Sequence, residues 1–108
     1  MTMDRATFQK ISARALEHIE NNLGQLEHDS LDVELAGDVL TLSFADRERY
    51  VINAHSAAGQ VWMAADKHAW HFDYDAGSQR WIADKTGDEL MQTVARLVGE
   101  RLGMTVKL

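Results

Sequence analysis

The sequence predicts an α+β fold: a two-layer sandwich with two helices packed on one face of an antiparallel β-sheet of about five to six strands, in the order α-β-β-β-β-β-β-α. Three observations predict it. Apolar residues recur at three- and four-residue steps near the two ends of the chain. Between them, short runs alternate apolar with polar residues and are separated by turn residues. The third observation is the stretch from Tyr50 to Trp81, which splits at the period of a strand into two unlike faces. One face collects Tyr50, Ile52, Val61, Met63, Trp70, Phe72 and Tyr74 and must be the core. The other collects Val51, Asn53, Gln60, Trp62, Ala64, His71 and Asp73. A large aromatic among amides and an imidazole on an open sheet is the composition of a binding hot spot.

Asp4 is placed to cap a first helix, whose stripe of Phe8, Ile11, Ala15, Ile19 and Leu23 has Leu16 at its border and ends near Gly24. At ~100° per residue, Glu17, Glu20 and Asn21 fall on the side away from that stripe. A short acidic connection with His28 follows, and then Leu31, Val33 and Leu35 alternate with Asp32 and Glu34 in a strand with one acidic face. Gly37 and Asp38 turn the chain into Val39 to Phe44. Strands are expected near Arg49 to Asn53, Gln60 to Ala64, Trp70 to Tyr74 and Arg80 to Ile82. Thr86 and Glu89 have the spacing of a capping box. After it, Leu90, Val94, Leu97, Val98 and Leu102 form the stripe of a second helix stopped by Gly103, with Met104, Val106 and Leu108 as a tail against the helices.

With 108 residues the chain is expected to form one domain around a single core. Cysteine is absent, which removes disulfides, thiolate nucleophiles and thiolate ligands for zinc or iron–sulfur clusters. No apolar run approaches the ~18 residues of a membrane span, and no secretory leader is recognisable, so a soluble protein working in the cytoplasm is expected. The net charge of -6 is unevenly placed. From Ala15 to Asp46 there are eight carboxylates and no Lys or Arg, which leaves nine acids against all 11 bases elsewhere. That asymmetry disfavours nucleic acid and favours cations or a basic protein surface.

The chemistry-bearing residues narrow the choice further. No Ser stands beside a base at a convincing spacing, and no glycine-rich loop opens a helix to hold phosphate. His68 and His71 form an H-x-x-H, but on a strand they point to different faces, and no histidine has the E-x-x-H spacing of dinuclear iron sites. Glu17, Glu20, Glu27, Asp29, Asp32 and Glu34 cluster across neighbouring elements. If the helix and the first strand lie side by side, these acids form a ridge of exposed oxygens suited to hard cations such as iron, held weakly because no cage is preformed. A merely solvated acidic face is the competing reading.

The run N-x-x-S-x-x-x-Q-V-W-M from Asn53 to Met63, then H-F-D-Y at His71 to Tyr74 and Trp81-Ile82, resembles the sheet signature of frataxins in their bacterial form. The order of elements and the acidic first helix and strand match along nearly the whole chain. The resemblance implies a non-enzymatic, iron-binding regulator of iron–sulfur cluster assembly that docks on the cysteine desulfurase and its scaffold protein. It places Glu20, Glu27, Asp29, Asp32 and Glu34 on the family's acidic ridge, and Asn53, Gln60, Trp62 and His71 on its partner-contacting face. Two other readings stay open: a ferroxidase oxidising Fe(II) at those carboxylates, and an interaction module in which metal is incidental. Asn21, Gly24 and Gln25 stand where relatives often carry acids, which lowers the expected metal capacity.

Overall fold

The computed structural model describes residues 3–108. Helix α1 (Arg5–Gly24) is followed by strands β1 (Leu31–Ala36), β2 (Val39–Phe44), β3 (Arg49–His55), β4 (Gln60–Ala65), β5 (His68–Asp75) and β6 (Arg80–Ala83), and helix α2 (Leu90–Leu102) closes the chain. The strands pair in sequence order as one antiparallel meander, β1-β2-β3-β4-β5-β6. Each strand pairs with its neighbours in the chain, so short turns suffice and no crossover is needed.

Both helices cover the face that carries Leu40, Leu42, Tyr50, Ile52, Val61, Met63, Phe72 and Trp81, all buried in one core with Leu16, Ile19, Leu23, Leu90, Val94 and Val98. Each such side chain contributes roughly 1.5–3 kcal/mol by leaving water. Trp70 and Tyr74, on the same face of β5, are only half-buried because they pack at the margin of that core. Helix α1 crosses the sheet obliquely. Near its start Phe8 meets Trp81 of β6 edge-on at 5.8 Å between ring centroids, while other parts of the helix lie against β1 and β3. This crossing shifts the buried stripe from the expected one. Leu16 is 1% exposed and lies in the core, Ser12 is buried beside it, and Ile11 is only half-buried.

The helix ends follow capping chemistry, with one displacement. The Asp4 carboxylate accepts the Thr7 N–H at 2.7 Å and starts α1. For α2 the cap is Glu89, not Thr86: its carboxylate accepts the N–H groups of Met91 and Gln92. Glu89 is held extended by a β-bridge to Ile82, so helical geometry begins only after it. Thr86 instead closes a local turn with Asp88, whose carboxylate also accepts the Trp70 indole N–H at 3.2 Å. Beyond α2 the tail folds back over Gly99. A Cβ there would stand 2.7 Å from the Met104 carbonyl oxygen, so only glycine permits this approach. Val106 and Leu108 pack against the core, while Met104 is 39% exposed. Among the described residues, no helix is long and apolar enough to cross a membrane.

Candidate functional site

The second face of the sheet carries no helix. Strand alternation sends Asn53 and His55 of β3, Gln60 and Trp62 of β4, and His71 and Asp73 of β5 to this side, opposite the buried Ile52, Val61, Met63 and Phe72. The register aligns them. Asn53 pairs with Trp62 and Trp62 with His71, forming one row across three strands, and His55 pairs with Gln60 in the next row. All four predicted contact residues, Asn53, Gln60, Trp62 and His71, therefore lie on one surface and each is half-buried.

Trp62 does not stand free on that surface. His55 stacks on it at 4.0 Å between centroids with planes 19° apart, and His71 stacks at 4.5 Å and 21°. Because β3 and β5 flank β4 on opposite sides, the two imidazoles cover opposite faces of the indole. The indole N–H donates to Gln60 Oε1 at 2.8 Å, and Gln60 Nε2 donates in turn to Asp73 Oδ1 at 3.0 Å. His55 is itself anchored: its Nδ1 accepts the Ala58 N–H at 3.2 Å, and its carbonyl accepts from Ala58 and Gly59 in the β3–β4 turn. Stacked aromatic pairs are worth about 0.5–1.5 kcal/mol beyond area burial, so the patch is ordered before any partner arrives. His55 was absent from the predicted contact set. Its signal in the sequence is its parity with Asn53, two residues along the same strand and hence on the same face.

The acids distribute around one side of the molecule. Helix α1 lies against β1, so the side-by-side arrangement that the ridge requires is present. Glu17 is exposed and Glu20 half-exposed on α1, and Glu27 and Asp29 are exposed on the connection. Asp32 and Glu34 project from β1 on the face away from the helix, because Leu31, Val33 and Leu35 occupy the helix-facing side. The six carboxylates thus form two groups around the β1 margin. Their donors suit a hard cation in kind. Among the described residues, no three His, Cys, Asp or Glu side chains converge as a metal cage. The connection itself is tight. Glu27 adopts a left-handed φ of 48°, and His28 Nδ1 accepts the Ser30 N–H at 3.1 Å.

The remaining histidines lie away from this row. His18 Nε2 lies 3.3 Å from the Leu108 carbonyl oxygen, and His68 projects from β5 on the face opposite His71. A dense ionic cluster lies at another end of the fold. Arg101 of α2 donates to Asp46 in the β2–β3 turn, to Asp66 in the β4–β5 turn at 3.1 Å and to the Tyr50 hydroxyl at 3.1 Å. Tyr50 donates onward to Asp66 at 2.8 Å. The Tyr50 hydroxyl, and with it Arg101, holds the Asp66 carboxyl below the usual aspartate range, while burial raises the Tyr50 phenol. Arg101 thus bonds to side chains of both turns and of β3, which makes the cluster a structural clasp between α2 and two hairpin turns.

Known proteins resemble this chain over most of its length. The family model of the frataxin-like domain matches residues 1–104. The iron-sulfur cluster assembly protein CyaY of Dechloromonas aromatica is 36% identical over 107 residues, 98% of this chain and 99% of that protein. The protein of the same name from Thioalkalivibrio sulfidiphilus is 37% identical over 78 residues, 72% of this chain and 73% of its own length. Among solved structures, the frataxin of Psychromonas ingrahamii superposes with a TM-score of 0.88 at 27% identity, covering 97% of both chains. Trimeric frataxin of the yeast Saccharomyces cerevisiae in its ferrous complex gives 0.75 at 26% identity, covering 86% of each. The order of one helix, six antiparallel strands and a second helix matches the frataxin fold, and the chain belongs to the frataxin-like family.

Proposed function

We propose that this chain acts in iron–sulfur cluster assembly as a non-enzymatic regulator in the bacterial cytoplasm. In this reading it docks on the cysteine desulfurase and its scaffold protein through the open face of the sheet and carries iron weakly at the β1 margin. The observation that carries the proposal is the preordered row Asn53–Trp62–His71, on a face that no helix covers, in a chain whose relatives are named for that process. Docking onto an ordered aromatic surface costs less side-chain entropy than docking onto a mobile one. The carboxylates from Glu17 to Glu34 add a negative field that steers a basic partner and draws Fe(II) to the same margin. Open coordination by Glu17, Glu20, Glu27, Asp29, Asp32 and Glu34 suits delivery or sensing of a metal better than permanent storage.

The test is affinity for a purified cysteine desulfurase–scaffold complex, measured by calorimetry. Trp62→Ala is expected to weaken binding at least about tenfold, as the loss of a central aromatic anchor does. Binding within twofold of the parent chain would sink the docking assignment.

A further inference from the structure

The indole of Trp62 is held on three sides by side chains from its own sheet. His71 and Gln60 belong to the predicted contact set, whereas His55 has no role assigned so far. We infer that His55 is a positioning residue: it clamps Trp62 so that a docking protein meets the edge of the indole and not its face. The inference rests on the docking reading above and extends it to the way in which the partner is recognised.

Three observations carry it. His55 is the closer of the two stacked imidazoles, at 4.0 Å against 4.5 Å, and its plane lies 19° from that of the indole. It is also tied to the backbone, since its Nδ1 accepts the Ala58 N–H and its carbonyl accepts the N–H groups of Ala58 and Gly59. The β3–β4 turn therefore fixes the imidazole, and the imidazole fixes the indole. Finally, the indole N–H is already engaged by Gln60 Oε1 at 2.8 Å. With both faces covered and the N–H satisfied, Trp62 has neither a free π-face for a partner's guanidinium nor a free donor. What it offers is a rigid apolar edge set between two imidazoles. The complementary feature is a shallow aliphatic notch on a protein of net basic charge, because Asp32, Glu34, Asp73 and Asp75 outnumber Arg49 and Arg80 on this side of the sheet.

The experiment compares the full chain with His55→Ala, His55→Phe and Trp62→Ala. Two readouts are taken: the Trp62 indole N–H resonance in the free protein, assigned by its loss in Trp62→Ala, and affinity for the desulfurase–scaffold complex. His55→Ala is expected to shift and broaden that resonance and to weaken binding about three- to tenfold, the range of one lost stacking contact. His55→Phe keeps a stacking ring without the imidazole nitrogens, and it is expected to restore a sharp resonance and binding to within twofold. A residue needed only for fold stability would lower the melting temperature without this paired loss and rescue. If His55→Ala leaves the resonance and the affinity unchanged while Trp62→Ala weakens binding, the positioning role is wrong and the docking face stands. If Trp62→Ala also binds normally, the docking reading fails and takes the positioning role with it.

Discussion

Arg101 joins three parts of the chain that lie far apart in sequence, and its loss is expected to show in stability before anything else. Its guanidinium also sits over the rings of Phe44 and Tyr50, 5.1 and 5.5 Å from their centroids. Arg101→Gln is expected to cost about 1–2 kcal/mol in denaturant unfolding, the low end for charge-assisted bonds because both carboxylates stand partly in water. The pH dependence has a definite sign. Asp66 is lowered first by the Tyr50 hydroxyl and then by Arg101, and Asp46 first by the Glu48 N–H and then by Arg101. A carboxyl lowered in the folded state stabilises the fold above its unfolded titration, near pH 4, and loses that contribution as pH falls through the folded value. The parent chain should therefore lose stability more steeply below about pH 4 than Arg101→Gln does, and equal acid slopes in the two chains would refute the assignment. None of this cluster was legible in the sequence, since Arg101 is separated from Tyr50 by 51 positions and from Asp46 by 55. Trp62 was legible because its neighbours alternate strictly around it. The stacking of His55 on Trp62 was not, because it is a diagonal contact between strands and depends on register.

At the scale of elements, the β4–β5 hairpin turns on Asp66 and Lys67, both with left-handed φ of 51° and 67° and neither a glycine. Two-residue hairpin turns require such angles and favour Asn-Gly or Asp-Gly. Asp66 is retained by its bonds to Tyr50 and Arg101, whereas the exposed Lys67 gains nothing comparable. Lys67→Gly is expected to raise unfolding stability by roughly 0.5–1 kcal/mol, since glycine adopts the left-handed region without the Cβ penalty. A loss of stability on that substitution would show that the Lys67 side chain makes a contribution the geometry does not contain. The strands themselves were readable to within two residues at each end, because one face of each is apolar and the period is two. Helix α2 was readable in extent but not in its cap. The Thr86–Glu89 spacing satisfied the local rule, and pairing of Glu89 with Ile82 across the sheet edge overrode it. Leu16 fell on the border of a stripe computed for an isolated helix, and the oblique crossing of α1 over the sheet turned it inward.

Across the whole molecule, charge and shape divide the labour. The helical side closes the core, the β1 margin concentrates carboxylates, and the sheet side presents the ordered aromatic patch. An anaerobic Fe(II) titration followed by amide resonances is expected to move residues between Glu17 and Glu34 first and to reverse on chelation; movement confined to other regions would refute the proposed metal margin. The α+β order of elements and the clustering of acids could be read from the sequence, because both are one-dimensional patterns. How the acids divide could not, since it depends on which face of β1 turns toward α1. The central claim is that the open sheet face is the docking surface, and the most direct measurement maps amide shifts of the isotope-labelled chain as unlabelled cysteine desulfurase–scaffold complex is added. The account predicts that the largest changes fall on Asn53, His55, Gln60, Trp62 and His71, with smaller ones along the β1 margin. Changes centred on α2 and the 104–108 tail, with the sheet face unmoved, would contradict it.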